Sequence, residues 1–172
     1  NDVDAPEKVK ATLADKPIDL LLANAGAMGD SGQALGNIHV EGILDLIRVN
    51  ALAPLKLVEA LIYNITLSDR KLVAFQSSQM GSIGNNGSGG SYEYRLAKNA
   101  LNMIAKNVAI DLKPRGVIAV ALHPGWVQTR MGGQGASVTV DASVIGQQKL
   151  LDALTPAHSG RFFNFDGIEL PW

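Results

Sequence analysis

Val117-Ile118-Ala119-Val120-Ala121-Leu122 is an unbroken apolar run, stopped by Pro124-Gly125 after His123. An unbroken run of this length, without alternation, predicts a strand buried on both faces, as in a parallel sheet. Three more segments share the pattern. Ile18 to Ala23 ends at Asn24-Ala25-Gly26, Lys71 to Gln76 ends at Ser77-Ser78, and the weaker Arg161 to Phe165 ends at Asp166-Gly167. Between them lie helical periodicities: a short one from Pro6 to Leu13, a long one from Val40 to Ile62, and one from Asp141 to Leu154. The clearest runs from Tyr92 to Leu112, with Leu96, Ala100, Leu101, Ile104, Val108 and Leu112 at three- and four-residue steps before Lys113-Pro114-Arg115-Gly116. The order α-β-α-β-α-β-α-β predicts an α/β fold, a Rossmann-like doubly wound parallel sheet in three layers with helices on both faces. The whole span 1–172 is expected to form one domain.

Composition removes several classes of function. The chain has 172 residues, 47% hydrophobic and 18% charged, with a net charge of −1. Its mean hydropathy is +0.11 and its pI about 6.3. A disordered chain is poorer in apolar residues. The charge balance gives no electrostatic footprint for nucleic acid. There is no cysteine, so disulfides, thiolate metal sites and cysteine nucleophiles are excluded. His39, His123 and His158 lie far apart without second ligands at metal spacing, so no metal is expected. No apolar run is long enough to span a bilayer and no signal peptide is visible, which sets the expectation of a cytoplasmic protein without a membrane partner. The chain begins at Asn1 rather than Met, and is expected to lack its beginning.

In parallel α/β sheets ligands bind beyond the carboxyl ends of the strands. Small and polar residues gather there: Asn24-Ala25-Gly26, Ser77-Ser78, and Pro124-Gly125-Trp126-Val127-Gln128-Thr129. Tyr94 and Lys98 open the Tyr92–Leu112 helix one turn apart, on one face. Taken alone such a pair is an ordinary solvated one; its place after a strand ending in Ser77-Ser78 gives it chemical interest. Reduction of a carbonyl by hydride needs a proton donor, and tyrosine at a pKa of about 10 titrates too high for neutral acid–base work. Lowering it by ~3 units takes about 4 kcal/mol, which one positive charge ~4 Å away supplies at an effective dielectric near 20. Lys98 is the candidate source of that charge, and Ser78 the candidate donor to the substrate oxygen.

The combination Asn24-Ala25-Gly26, Asn50, Ser78, Tyr94-x-x-x-Lys98 and Pro124-Gly125 resembles the short-chain dehydrogenase/reductase family. Ser77-Ser78-Gln79-Met80-Gly81-Ser82, Tyr94-Arg95-x-x-Lys98, His123-Pro124-Gly125-Trp126-Val127 and Leu170-Pro171-Trp172 look like its C-factor and carbonyl-reductase-like branch. The resemblance implies an NAD- or NADP-dependent oxidoreductase interconverting a carbonyl and an alcohol on a small-molecule substrate. It implies Tyr94 as general acid/base, Lys98 as the residue that lowers its pKa and holds the nicotinamide ribose, and Ser78 as the group that orients the carbonyl, with Ser77 the alternative. It implies that the Asn50 carbonyl holds a water in a proton relay. Pro54, four residues on, has no N–H to give that carbonyl, and a helix kink is expected there. Implied cofactor contacts are Asp2 and Val3 at the adenine, Asn24, Ala25 and Gly26, Pro124 and Gly125, and Val127 and Thr129 at the carboxamide and phosphate.

The family's glycine-rich turn T-G-x-x-x-G-x-G has no counterpart here, so the first βαβαβ unit is expected to be absent. The Ile18–Ala23 strand should then have one bare edge, and residues 1–172 alone are expected to be unstable and to bind dinucleotide weakly. The stretch from Gly81 to Ser91 reads as a flexible substrate-side loop, and Trp126 and Met131 as pocket or packing residues. A homodimer or homotetramer is expected, paired through Leu57, Val58 and Leu61 of the second helix and Leu101, Ile104 and Ala105 of the third. The alternative function is a non-catalytic, C-factor-like signalling or interaction protein that keeps the fold.

Overall fold

The computed structural model describes residues 4–29 and 32–172. The expected adenine contacts Asp2 and Val3 lie outside the described residues. The elements alternate as the periodicities indicate: α1 (Ala5–Leu13), β1 (Leu20–Ala23), α2 (Val40–Ile47), α3 (Ala53–Leu67), β2 (Leu72–Gln76), α4 (Tyr92–Asp111), β3 (Ile118–His123), α5 (Val140–Ala153) and β4 (Phe162–Asn164). All three strand pairings are parallel, and the sheet runs in the order β1-β2-β3-β4. Parallel neighbours need a crossover, and each connection between successive strands carries at least one of the helices.

Strand parity divides the core. Val73 and Phe75 of β2 and Ala119 and Ala121 of β3 face α3 and α4, packing with Val58, Leu61, Ile65, Leu101 and Ala105. Leu72, Ala74, Val120 and Leu122 face the other way, where Leu151 of α5 covers them together with Phe163. The two inner strands are buried on both faces, as their unbroken apolar runs require. β1 differs from expectation. It pairs only with β2 among the described residues, and Leu22 is 40% exposed. Nothing in the described chain covers that end of the α5 face, so an apolar sequence alone did not bury the strand.

The long second helix is not one α-helix with a kink. α2 passes into a wider π-helical turn over Arg48–Leu52, where the Ala53 N–H reaches back to the Arg48 carbonyl, and then into α3. Pro54 has no N–H for the carbonyl of Asn50, and the helix accommodates it by widening rather than breaking. Asn50 sits in this turn, fully buried.

Caps set the remaining boundaries. Thr139 starts α5 by accepting the Ala142 N–H at 3.2 Å. Gly116, at φ +76°, turns the chain from the end of α4 toward β3. Among the described residues no helix is long and apolar enough to cross a membrane, and no cluster of acidic residues and histidines could hold a metal ion.

Candidate active site

The carboxyl ends of β1 and β2 and the first turns of α4 converge. Beyond β1, Asn24, Ala25 and Gly26 are exposed. The next residue, Ala27, is gripped by the buried Asn50: its N–H donates to Asn50 Oδ1 and its carbonyl accepts from Asn50 Nδ2, both at 2.8 Å. A Cβ at Gly26 would lie 3.1 Å from Asn50 Oδ1 and 3.6 Å from Lys98 Nζ. The glycine therefore lets Asn50, Lys98 and the strand-end backbone meet at one point.

Beyond β2 the two serines separate. The Ser77 N–H donates to the Leu122 carbonyl at 2.7 Å, and its Oγ lies 2.5 Å from Asn102 Oδ1 on α4. Ser77 is committed to the core. Ser78 Oγ accepts the Met80 N–H at 3.2 Å and is hydrogen-bonded to the Tyr94 hydroxyl. Of the two candidates, the geometry brings Ser78 to Tyr94. Lys98 is 5% exposed, donates to the Gln76 carbonyl at 2.8 Å, and lies 5.7 Å from the Tyr94 ring centre.

The electrostatics correct one expectation. Burial pushes the Tyr94 hydroxyl above its ordinary pKa, and the hydrogen bond from Ser78 pulls it only part of the way back. Lys98 does not overcome that push. Desolvation also acts on the ammonium itself, bringing Lys98 down from 10.5 to about 8. Both groups are thus held toward their neutral forms. Lys98 has three donor positions, and among the described residues its hydrogen bond is to Gln76. The bare Cα of Gly26 lies beside the Lys98 ammonium, where a Cβ would come 3.6 Å from Nζ.

Beyond β3 the chain runs beside this region, since Gln76 pairs with Leu122. Ser143 of α5 donates to the Pro124 carbonyl at 2.6 Å. Gly125 has φ +83°, and a Cβ there would press on Phe165 and Val138 at about 3 Å. Val127 bridges to Val138, and Thr129 Oγ1 accepts the Gly132 N–H at 3.1 Å. Gln128, Thr129, Arg130, Gly133 and Gln134 line an open cleft of about 540 Å³. Trp126 donates its Nε1–H to the Gly132 carbonyl at 2.8 Å and is 56% exposed, as is Met131 at 48%. Both are therefore about half covered by the loop and half open to solvent. His123, just before Pro124, has an imidazole brought down to about 4 by burial, against an opposing pull from Asp166.

Several residues of this region were not singled out from sequence. Asn102 lies one turn beyond Lys98 on α4, and that spacing was a usable signal. Gln33, Glu93 and Asn99 had none, and Arg95 entered only as a motif letter beside Tyr94. Gln33 Nε2 donates to the buried Glu93 carboxylate at 2.7 Å, tying the loop after β1 to the first turn of α4. The Gly81–Ser91 loop is not loose: Arg95, Asn99 and the carbonyls of Pro171 and Trp172 all hold it by hydrogen bonds.

Comparison with known proteins agrees with this geometry. The short chain dehydrogenase family pattern matches residues 2–138. The chain is 42% identical over 156 residues to the C-signal of Myxococcus xanthus, covering 91% of this chain and 93% of that protein. It is 36% identical to a 1-hydroxy-2-glutathionyl-2-methyl-3-butene dehydrogenase of Rhodococcus sp. (strain AD45), covering 96% of this chain and 74% of the relative. Among solved structures, the carbonyl reductase Sniffer of D. melanogaster superposes with a TM-score of 0.91 at 29% identity, over 98% of this chain and 72% of that one. The NADPH-bound carbonyl reductase from chicken fatty liver gives 0.88 at 31% identity, over 98% and 71%. With its parallel sheet, the convergence at Tyr94 and these likenesses together, the chain belongs to the short chain dehydrogenase family.

Proposed function

We propose that the protein is an NAD(P)(H)-dependent oxidoreductase that interconverts a carbonyl and an alcohol, with Tyr94 as the proton donor and acceptor. The observation that carries this reading is the hydrogen bond between Tyr94 and Ser78 beside the buried ammonium of Lys98. A bound reduced nicotinamide dinucleotide supplies the hydride that goes to the carbonyl carbon. The carbon–oxygen π pair then moves to the oxygen, which takes the Tyr94 proton, and the alcohol oxidation is the reverse. The Ser78 hydroxyl donates to the substrate oxygen, and the phenolate left on Tyr94 is stabilised by Lys98⁺. A buried charge is weakly screened, so Lys98 acts most strongly when the phenolate forms. The Asn50 carbonyl, which Pro54 cannot partner, is the acceptor for a water that returns the proton from solvent.

Lys98 and the strand-end backbone of Asn24, Ala25 and Gly26 hold the nicotinamide ribose. Val127 and Thr129 would meet the carboxamide and phosphate, and Pro124 and Gly125 would border the cofactor beside them. The cofactor is NADP or NAD. The exposed apolar side chains of Ile83, Trp126 and Met131 on the loops beyond β2 and β3 favour an apolar carbonyl compound.

The test is calorimetric titration of the complete protein with NADPH and NADH, followed by reduced-cofactor consumption against a panel of aldehydes and ketones. Binding and turnover support the reading. A second reading rests on one observation, that the likeness to the C-signal runs over 93% of that protein's length. It is a signalling or interaction protein that keeps the fold without turnover, and absence of any dinucleotide binding by the complete protein favours it.

A further inference from the structure

Tyr94 is followed on α4 by Arg95, whose guanidinium points under the loop after β2. Nη1 donates to the Met80 carbonyl at 3.3 Å, Nε to the Gly89 carbonyl at 3.3 Å and Nη2 to Ser88 Oγ at 2.8 Å. One turn along the helix, Asn99 Nδ2 donates to the Gly81 carbonyl at 3.0 Å. The two side chains make a floor for the short 3-10 turn Gln79–Gly81. Gly81 sits so low on it that a Cβ would come 2.7 Å from the Lys98 carbonyl carbon.

Met80 links this floor to the chemistry. Its carbonyl is held by Arg95, and its N–H occupies one lone pair of Ser78 Oγ at 3.2 Å. With that lone pair filled, the Ser78 hydroxyl is held beside Tyr94, and the Met80 N–H polarises it as a donor toward the oxygen that Tyr94 protonates. Three acceptors spread across the loop suit the planar, multi-donor guanidinium and not the point charge of a lysine. The loop also enters α4 through three successive left-handed residues: Gly89 at φ +62°, Gly90 at +64° and Ser91 at +47°. A left-handed serine is disfavoured by sterics, so this path needs external anchoring, and Arg95 bonds on both sides of the loop.

We propose that Arg95 is a positioning residue that, through Met80, sets the Ser78 hydroxyl against Tyr94. This rests on the reading of Ser78 and Tyr94 as the carbonyl-binding pair.

The test is a double-mutant cycle in the complete protein with saturating dinucleotide, comparing wild type, Arg95→Met, Ser78→Ala and the double variant, beside amide hydrogen exchange of residues 78–91. Arg95→Met is expected to lower kcat about tenfold and to leave the dinucleotide Kd within about twofold. On the Ser78→Ala background the same change is expected to cost less than about twofold, because residues acting as a unit are non-additive. Arg95→Lys should recover part of the loss. Amides of Gly81, Ser82 and Gly89 should exchange faster in Arg95→Met, with β2 and β3 unchanged. Additive losses in the cycle overturn the proposal, as does wild-type exchange over 78–91. Exchange reads the anchoring even if the wild type reduces no carbonyl, so a failure of the proposed function is distinguishable from a failure of Arg95. If Arg95→Met does not fold, Arg95→Leu, which likewise removes every donor, replaces it in both measurements.

Discussion

Asn50 holds Ala27 from both sides, accepting its N–H and donating to its carbonyl at 2.8 Å each, across 23 residues of sequence. The amide places a donor and an acceptor side by side, matching the N–H and carbonyl of one backbone residue. It fastens the π-helical turn of Arg48–Leu52 to the loop that leaves β1. The backbone of Asn24 to Gly26 is thereby fixed beside Lys98.

Asn50→Ala removes both bonds and leaves part-buried backbone groups without them. The expected loss of stability is about 2 kcal/mol, read as a lower midpoint in denaturant unfolding with unchanged m. Asn50→Asp keeps the acceptor for the Ala27 N–H but faces the Ala27 carbonyl with an oxygen. It should therefore be no better than Asn50→Ala.

Lys98 should weaken the fold at neutral pH. Its pKa is lowered from 10.5 to about 8 by burial, so between those values the unfolded chain binds more protons than the folded one. Stability then rises with pH across that window, and below it the cost of the buried ammonium is present in full. Lys98→Met should stabilise the protein by about 1–2 kcal/mol at pH 7, after allowing for the lost bond to the Gln76 carbonyl. The gain should fade as the pH is raised through the same window. Thermal unfolding of both proteins across the window checks it.

The surface available for self-association is not the one the sequence pointed to. Val58, Leu61, Leu101 and Ala105 are spent inside the chain against the sheet, and Leu57 and Ile104 pack on the same core. The apolar residues left outside on α4 are Leu96, Met103 and Ile110, 45%, 61% and 59% exposed and seven residues apart. If α4 pairs with its copy across a two-fold axis, Met103→Glu should convert a dimer or tetramer to smaller species in sedimentation velocity while leaving the secondary structure unchanged. A monomeric wild type at tens of micromolar contradicts this.

The parallel sheet was legible because β2 and β3 are unbroken apolar runs, which only burial on both faces explains. The half-exposed β1 was not, since burial depends on what lies beside a strand and not on its own residues. The choice between Ser77 and Ser78 was open to reasoning by parity. Phe75 faces α4, so Ser77, two residues on, falls on the same side and meets Asn102. The loop from Gly81 to Ser91 misled because its glycines describe what the backbone permits. What holds it comes from Arg95, Asn99 and the carbonyls of Pro171 and Trp172, and a contact over such separations leaves no local signal. The raised pKa of Tyr94 was hidden for the same reason, because it follows from burial around the ring.

The measurement that tests the central claim most directly is single-turnover carbonyl reduction by Tyr94→Phe in the complete protein with reduced dinucleotide bound. Loss of the proton donor alone should slow the chemical step at least about a hundredfold, while the dinucleotide Kd stays within about twofold of wild type. Near-normal turnover by Tyr94→Phe would contradict the assignment of Tyr94 as the acid and base of this site.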